Sequence, residues 1–390
     1  MRTTSNSQRI AVSTAAAAAV GVIAWNGNGA TLPLSALFFV IFLLQRARAA
    51  AYCVALAYYL GSTWPVVPGA TTFFGSHTSS WEGFALWLTG SILLSSPWGL
   101  FYFRNWPARF ASVAAAVTAT TVPPIGLIGW ASPLTSAGLL FPGLGWLGIA
   151  AMLLAPPAIV RKPLLGIVAT VALIATAHAV QPRSPTPLAG WAAVDTTFGR
   201  GPEWPDPIHE LQNVQEIQRT AIASPAQVII FPETVVSRWN TAAEIFWEPV
   251  IETLRSRGQT IVLGTTVPLL GSPRRLNGTI VRGADGPDFF EQHIPVPISM
   301  WNPLSESGFP LRLWGPGTLR IAGEQVGVLI CYEMLLSWPV LSLSIEHPTI
   351  LVGIANDYWA RNTPIPAVQR EFVLAWARLF SIPALIARNT

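Results

Sequence analysis

Val326-Gly327-Val328-Leu329-Ile330-Cys331-Tyr332-Glu333 decides how the second half of this chain is read. Its short apolar run has the length and the β-branched content of a buried strand, and it delivers a thiol and a carboxylate at its end. A cysteine after an apolar run is, taken alone, an ordinary packed core residue. Two other segments change that view. Val228-Ile-Ile-Phe231 is a second buried strand, followed at once by Pro232-Glu233, and Thr349–Ile354 is a third, followed by Asn356-Asp357. The C-terminal ends of strands are where α/β sheets place their sites. A carboxylate directly after a buried strand is also hard to place otherwise.

Working outward, strands and helices alternate. Leu188–Val194, Thr260–Val267 (with Gly264), Leu276–Arg282 and Asp288–His293 read as strands, the last two around an Asp285-Gly286 turn. Pro207–Ala223, Phe246–Arg257 and Val368–Phe380 read as helices. Short apolar strands between helices predict an α/β layered domain over residues 188–390. Residues 182–187, Pro-Arg-Ser-Pro-Thr-Pro, form a stiff linker before it.

The first 181 residues are of another kind. Charged residues make up 11% of the chain, and AVILMFWYC residues 51%; an average soluble protein has roughly 25% charged residues. Of the 19 acidic residues only Glu82 precedes residue 186. Such a segment has little polar surface for water, and a bilayer is its natural solvent. Seven apolar segments predict about seven spans: Ile10–Trp25, Leu32–Leu44, Ala50–Val67, Trp81–Phe103, Phe110–Trp130, Gly138–Val160 and Leu164–Val180. The first two are short enough to be tilted or partly re-entrant, and the first also has the basic start and alanine-rich core of a signal peptide.

The cations test the count. With Arg2 and Arg9 inside, Arg46, Arg48, Arg104, Arg109, Arg161 and Lys162 fall on the same side, and the opposite loops carry none. That is the positive-inside pattern. It predicts a multi-pass protein of the bacterial inner membrane, with a cytoplasmic N-terminus and a periplasmic C-terminal domain. The pI of 9.4 therefore reflects membrane-flanking arginines, and no direct nucleic-acid binding is expected. Gly143-Leu-Gly145-Trp-Leu-Gly148 has dinucleotide-loop spacing but sits in an apolar span with no strand before it, so close helix packing is expected. Cys53 and Cys331 fall in different regions, which leaves Cys331 a free thiol. No His-Glu-x-x-His helix or Cys-x-x-Cys pair is present, so no metal or other cofactor is expected.

Phe231-Pro232-Glu233-Thr234 resembles the glutamate motif of the nitrilase superfamily, and Leu329-Ile330-Cys331-Tyr332-Glu333 resembles its nucleophile motif. Asn356-Asp357-Tyr358-Trp359 is similar to the segment that follows, as is the closing Arg388-Asn389. Their order, behind a membrane bundle, resembles the apolipoprotein N-acyltransferase branch, and most closely the TraB family of conjugal-transfer proteins of rhizobial plasmids. The resemblance implies an α-β-β-α sandwich. It makes Glu233 the general base and Cys331 the nucleophile, with Glu333 and Tyr332 supporting the site. It further implies a phospholipid acyl donor, a Cys331 thioester and an amine acceptor such as a lipoprotein N-terminus.

Two departures qualify that resemblance. Aligned on Val296-Pro297, the family's oxyanion-binding lysine falls on Gln292 and a later glutamate on Met300. Lys162 is the only lysine in the chain. Losing one oxyanion donor costs roughly 10²–10³ in rate; the Gln292 amide, or His293 if protonated, is a partial substitute. The second departure is the C-terminus, where the family continues through further strands and a last membrane helix; the domain is expected either to close without them or to lack them. An alternative is therefore a catalytically impaired accessory or scaffold protein of conjugal transfer. A Cys–His hydrolase using His293 or His347 is a third reading.

Overall fold

The computed structural model describes residues 6–74, 80–181, 185–186, 188–199 and 207–390. Most of the expected 182–187 linker lies outside the described residues. Contacts divide the chain into two compact units, Met1–Pro185 with Leu335–Trp338 and Asn362–Ser381, and Thr186–Met334 with Pro339–Arg361 and Ile382–Thr390.

In the first unit each apolar segment is helical, but few of the helices are long. They are α1 (Asn6–Ala24), α2 (Leu37–Leu43), α3 (Arg48–Thr63), α4 (Val66–Phe74), α5 (Ser80–Leu100), α6 (Trp106–Thr121), α7 (Ala137–Leu140), α8 (Gly145–Arg161) and α9 (Pro163–Val180). Among the described residues, α1 and α9 are each long and apolar enough to cross a membrane. The number rises to four at most, if the bent pairs α3 with α4 and 133–140 with α8 each count as one span. Seven full spans are thus not confirmed among the described residues, for local reasons. Leu32–Ala36 is a 3-10 turn that leaves α2 only 7 residues, about 10 Å of rise. The Trp64-Pro65 step bends α3 from α4 by 49°, and α6 stops just before Pro123-Pro124.

Glycines set the close packing of this unit. A Cβ on Gly21 of α1 would lie 2.3 Å from the Tyr58 carbonyl oxygen of α3, and one on Gly61 would lie 2.5 Å from that of Ala18. The 143–148 glycines also serve packing: Gly143 and Gly145 turn the chain at positive φ, and Gly148 sits against Leu379 and Phe141.

The second unit contains β1 (Trp191–Ala193), α10 (Pro207–Ala223), β2 (Val228–Ile230), α11 (Thr241–Ser256), β3 (Thr260–Pro268), β4 (Arg275–Gly283), β5 (Asp288–Glu291), β6 (Thr318–Ile321) and β7 (Glu324–Ile330). After these come α12 (Ser337–Ser344), β8 (Ile350–Asn356), α13 (Ile365–Phe380) and β9 (Ala384–Asn389). By contacts α13 belongs to the first unit, where it meets α7 and α8; it is buried nearly all round, from Ile365 to Leu379.

Two sheets result, ordered β1-β2-β3-β4-β5 and β6-β7-β8-β9. In each, three consecutive strands are parallel: β1, β2 and β3 in the first, β7, β8 and β9 in the second. Val228, Ile230, Val262 and Val281 of the first sheet share a core with Val328, Ile330, Val352 and Ile354 of the second, so the sheets stack face to face. On the outer face of the first sheet, Ile229, Ile261 and Leu263 meet Ile217 and Ala221 of α10 and Trp247, Ile251 and Leu254 of α11. Asn240 caps α11, its Oδ1 accepting from the Ala243 N–H at 2.9 Å. Leu343 of α12 lies over Gly327 of β7. The layering brings the ends of β2, β7 and β8 to one place.

Candidate active site

Glu233 leaves β2 along the flank of β3, where Phe231 N–H donates to Val262 O and Val236 N–H to Gly264 O. Gly264 permits the approach: a Cβ there would fall 2.2 Å from Pro232 O and 2.5 Å from Glu233 Cα. Thr234, next in sequence, has φ of 51°, and Cys331, one residue past β7, has φ of 54°. Left-handed backbone in residues of this kind costs on the order of 1–3 kcal/mol and persists only where the surroundings over-determine it. Both strained residues lie where two strand ends converge.

The two reactive groups meet there. The Glu233 carboxyl and the Cys331 thiol are hydrogen-bonded side chain to side chain. Asn277 Nδ2, from the start of β4, donates to Glu233 Oε1 at 2.7 Å. The backbone N–H of Asn356, at the end of β8, donates to Glu233 Oε2 at 3.0 Å and also faces the Cys331 sulfur. Every element that ends near the site therefore contributes to holding Glu233.

Gln292 occupies the centre of this network, 2% exposed. Its Oε1 accepts from the same Asn277 Nδ2 at 2.9 Å, and its Nε2 donates to the Ile330 carbonyl at 2.9 Å. A lysine in this place would bring a positive charge; the amide brings a neutral crossbar between β4 and the residue before the thiol.

Glu333 has a different task. Its Oε1 accepts from the His293 and Ile294 N–H groups at 2.8 and 2.9 Å, and its Oε2 from the Ile330 N–H at 2.9 Å. It thus clamps the segment carrying Gln292 to the segment carrying Cys331. These bonds also draw the chain out of the sheet, so β5 ends at Glu291 and not at His293 as the sequence predicts. Tyr332 is partly exposed, and burial raises its phenol pKa.

His293 does not join the cluster. Its ring lies tilted at 44° to Phe290, centroids 5.4 Å apart, and within 3.1 Å of where a Gly315 Cβ would sit. Burial and the nearby Arg312 hold its imidazole below the usual range. The side chain bonded to the thiol is the Glu233 carboxyl, not a histidine. Asn356 contributes chiefly its backbone; its side chain bridges Thr234 Oγ1 at 2.8 Å and the Asn389 side chain at 2.9 Å. Asp357 is fully buried, and its backbone N–H donates to the Asn389 carbonyl.

The electrostatics follow from that burial. Loss of water pushes the Cys331 thiol well above its ordinary value, and the Glu233 and Asp357 carboxylates push further in the same direction. The Glu233 carboxyl is raised by burial, against hydrogen bonds from Cys331, Asn277 and Asn356. Burial takes Glu333 up to about 7 despite its three backbone donors.

Asn277 and Thr234 were not expected in the site from sequence. The available signal was weak: an asparagine, a residue type that strands disfavour, as the first buried residue of β4, beside Leu276.

No protein-family model matches the chain. A conjugal transfer protein TraB of Agrobacterium fabrum is 28% identical, with 100% of this chain and 95% of that protein covered. A probable conjugal transfer protein TraB of Sinorhizobium fredii is 27% identical, with 97% of each covered. Among solved structures, a cysteine-to-alanine mutant of a nitrilase-superfamily amidase from Nesterenkonia AN1 overlaps 51% of this chain and 75% of its own, at 15% identity and a TM-score of 0.35. A double mutant of that amidase with acrylamide overlaps 52% and 78%, at 16% identity and a TM-score of 0.36. Over its full length, this chain is similar to the TraB conjugal transfer proteins.

Proposed function

We propose that this chain is a membrane-bound acyl-transferring enzyme of nitrilase type, with Cys331 as nucleophile and Glu233 as general base, acting in conjugal plasmid transfer. The observation that carries the chemistry is the buried hydrogen bond between the Glu233 carboxyl and the Cys331 thiol. The link to conjugation rests on the likeness to TraB proteins.

The thiol rests protonated, so its proton must leave as the sulfur attacks. Cys331 Sγ attacks the ester carbonyl carbon of a phospholipid and the S–C bond forms. The thiol proton passes to Glu233, the C–O bond breaks, and Glu233 returns the proton to the departing alkoxide. The fatty acid is then held as a thioester for transfer to an amine. Gln292 offers an amide donor to the oxyanion where the resemblance calls for a cation, which makes for slow turnover.

The apolar first unit fits a multi-pass anchor in the bacterial inner membrane, with the N-terminus inside and the second unit in the periplasm. The one-sided cations support this placement. A periplasm-dependent reporter fused after Thr390 is expected to be active; an inactive fusion contradicts the topology.

A second reading draws on Gln292 itself. With its amide engaged by Asn277 and Ile330, the chain would be a non-catalytic scaffold of the transfer apparatus that keeps the fold. Intact mass after incubation with phosphatidylethanolamine vesicles separates the two. A hydroxylamine-labile fatty-acyl adduct on wild type, absent from Cys331→Ala, supports the enzyme. If wild type stays unmodified while Gln292→Lys becomes acylated, the scaffold reading holds.

A further inference from the structure

Asp357 is the buried acid that the half-reaction above does not use. It follows directly on Asn356, whose N–H touches Glu233, and it is 0% exposed. Among the described residues neither of its carboxyl oxygens has a hydrogen-bond partner. Native structures rarely leave such a group unmatched, and each instance calls for an explanation. The other acids of the site are fully engaged: Glu333 accepts three backbone N–H groups, and Glu233 binds Cys331, Asn277 and Asn356. Asp357 alone has free acceptors, and it stands within electrostatic range of both Cys331 and Glu233. No lysine shares the site to repel a cation or to pair with this acid.

We propose that Asp357 receives the acyl acceptor, a primary amine that arrives as an ammonium ion, and takes its proton so that the free amine attacks the Cys331 thioester. An ammonium group is all donor and no acceptor, which suits an acid with two unfilled oxygens. It must lose a proton before its nitrogen has a lone pair.

The second half-reaction, resting on the acyl-enzyme chemistry proposed above, then balances. The ammonium gives one proton to the Asp357 carboxylate. The amine nitrogen attacks the thioester carbonyl carbon, and the C–N bond forms as the C–S bond breaks. The second nitrogen proton passes to Glu233 and on to the departing Cys331 sulfur. The products are an amide, a free thiol and protonated Asp357, which returns its proton to water. Two carboxyls thus divide the work, Glu233 at the sulfur and Asp357 at the nitrogen.

The groups that set the charge of Asp357 are Arg388 on β9, Asp195 after β1, and Glu233. Burial is the largest influence; Arg388 opposes it and the two acids reinforce it, leaving Asp357 at about 7. An acid there is poised to accept a proton from an amine near neutral pH.

The test loads Cys331 with p-nitrophenyl laurate, which acylates a competent thiol whether or not a phospholipid does. The acyl-enzyme is then chased with glycinamide or with hydroxylamine, a nucleophile already neutral at pH 7. In Asp357→Asn the rate of release by glycinamide, relative to the rate of loading, is expected to fall about a hundredfold. Release by hydroxylamine falls far less. Glycinamide release in the wild type shows a step near pH 7, below the rise set by the amine's own deprotonation, and Asp357→Asn keeps only the latter. An unchanged ratio and an unchanged pH profile overturn the proposal. If Asp357→Asn does not fold, a wild-type glycinamide profile with no break near 7 overturns it. Failure of wild type to load at all overturns the acyl-enzyme reading and this proposal together; loading by the activated ester but not by phospholipid overturns only the choice of donor.

Discussion

Gln292 Nε2 donates to the carbonyl of Ile330 at 2.9 Å, one residue before Cys331. Gln292 therefore braces the backbone next to the Cys331 thiol. Together with Asn277, it makes a site of neutral donors around buried acids.

A cation at this position changes the ionisation of its neighbours. Nearby positive charge favours the anionic form of Glu233 and of Cys331. In Gln292→Lys, the pH midpoint for alkylation of Cys331 by iodoacetamide is expected to fall by about one unit, raising the rate at pH 7 about tenfold. An unshifted midpoint would mean that residue 292 does not face the thiol.

Removing Asn277 unsettles two partners at once. Asn277→Ala leaves Glu233 Oε1 and Gln292 Oε1 buried without that donor, which costs about 1–3 kcal/mol. Thermal unfolding in detergent should show a lower midpoint than wild type. The acylation rate should also drop, because Glu233 loses a bond to its charged form.

Gly264→Ala tests the approach of Glu233 to β3. The added methyl meets Pro232 O and the Glu233 backbone, and relieving that clash costs about 1–3 kcal/mol. Loading of Cys331 is expected to fall at least tenfold even where the variant remains folded. Wild-type loading would show that Glu233 is not placed by this contact.

The buried acids give stability an unusual pH dependence. Glu333 and Asp357 both stand at about 7 in the fold, above their unfolded values of 4.5 and 3.8. A raised acid contributes stability that is full below its unfolded pKa and is lost as pH rises through its folded pKa. His293, held low, acts in the opposite sense below its unfolded value of 6.5, but it is one group against these two and the raised Glu233. Glu244, lowered by Arg282, matters only as pH falls below 4.5. Resistance to denaturant should therefore increase on going from pH 8 to pH 5, by a few kcal/mol in all. Asp357→Asn should flatten that slope, and a slope of the opposite sign would contradict the placement of these acids.

Much of the site was legible because its residues follow buried apolar runs. Glu233, Cys331 and Glu333 stand at strand ends, where composition changes abruptly. Asn277 was not legible, because its role depends on which face of β4 meets Glu233 and on the pairing with Gln292, both long-range facts. His293 was misplaced for a related reason: the Asp288–His293 alternation continues in sequence, but Glu333 captures the His293 and Ile294 amides and pulls them off the strand. Thr318–Ile321 and Ser337–Ser344 escaped notice as elements; one is 4 residues long, and the other carries serines and a proline in place of strong helix formers. In the apolar half, hydrophobicity marks where helices lie, while Pro65, Pro123 and Gly143 decide where they break.

The central claim is that Glu233 activates Cys331, and pre-steady-state acylation by p-nitrophenyl laurate tests it most directly. Wild type is predicted to give a burst of one acyl group per chain, with Cys331→Ala giving none and Glu233→Gln slowed at least about a hundredfold. A burst that survives in Cys331→Ala, or one that Glu233→Gln leaves at the wild-type rate, would contradict it.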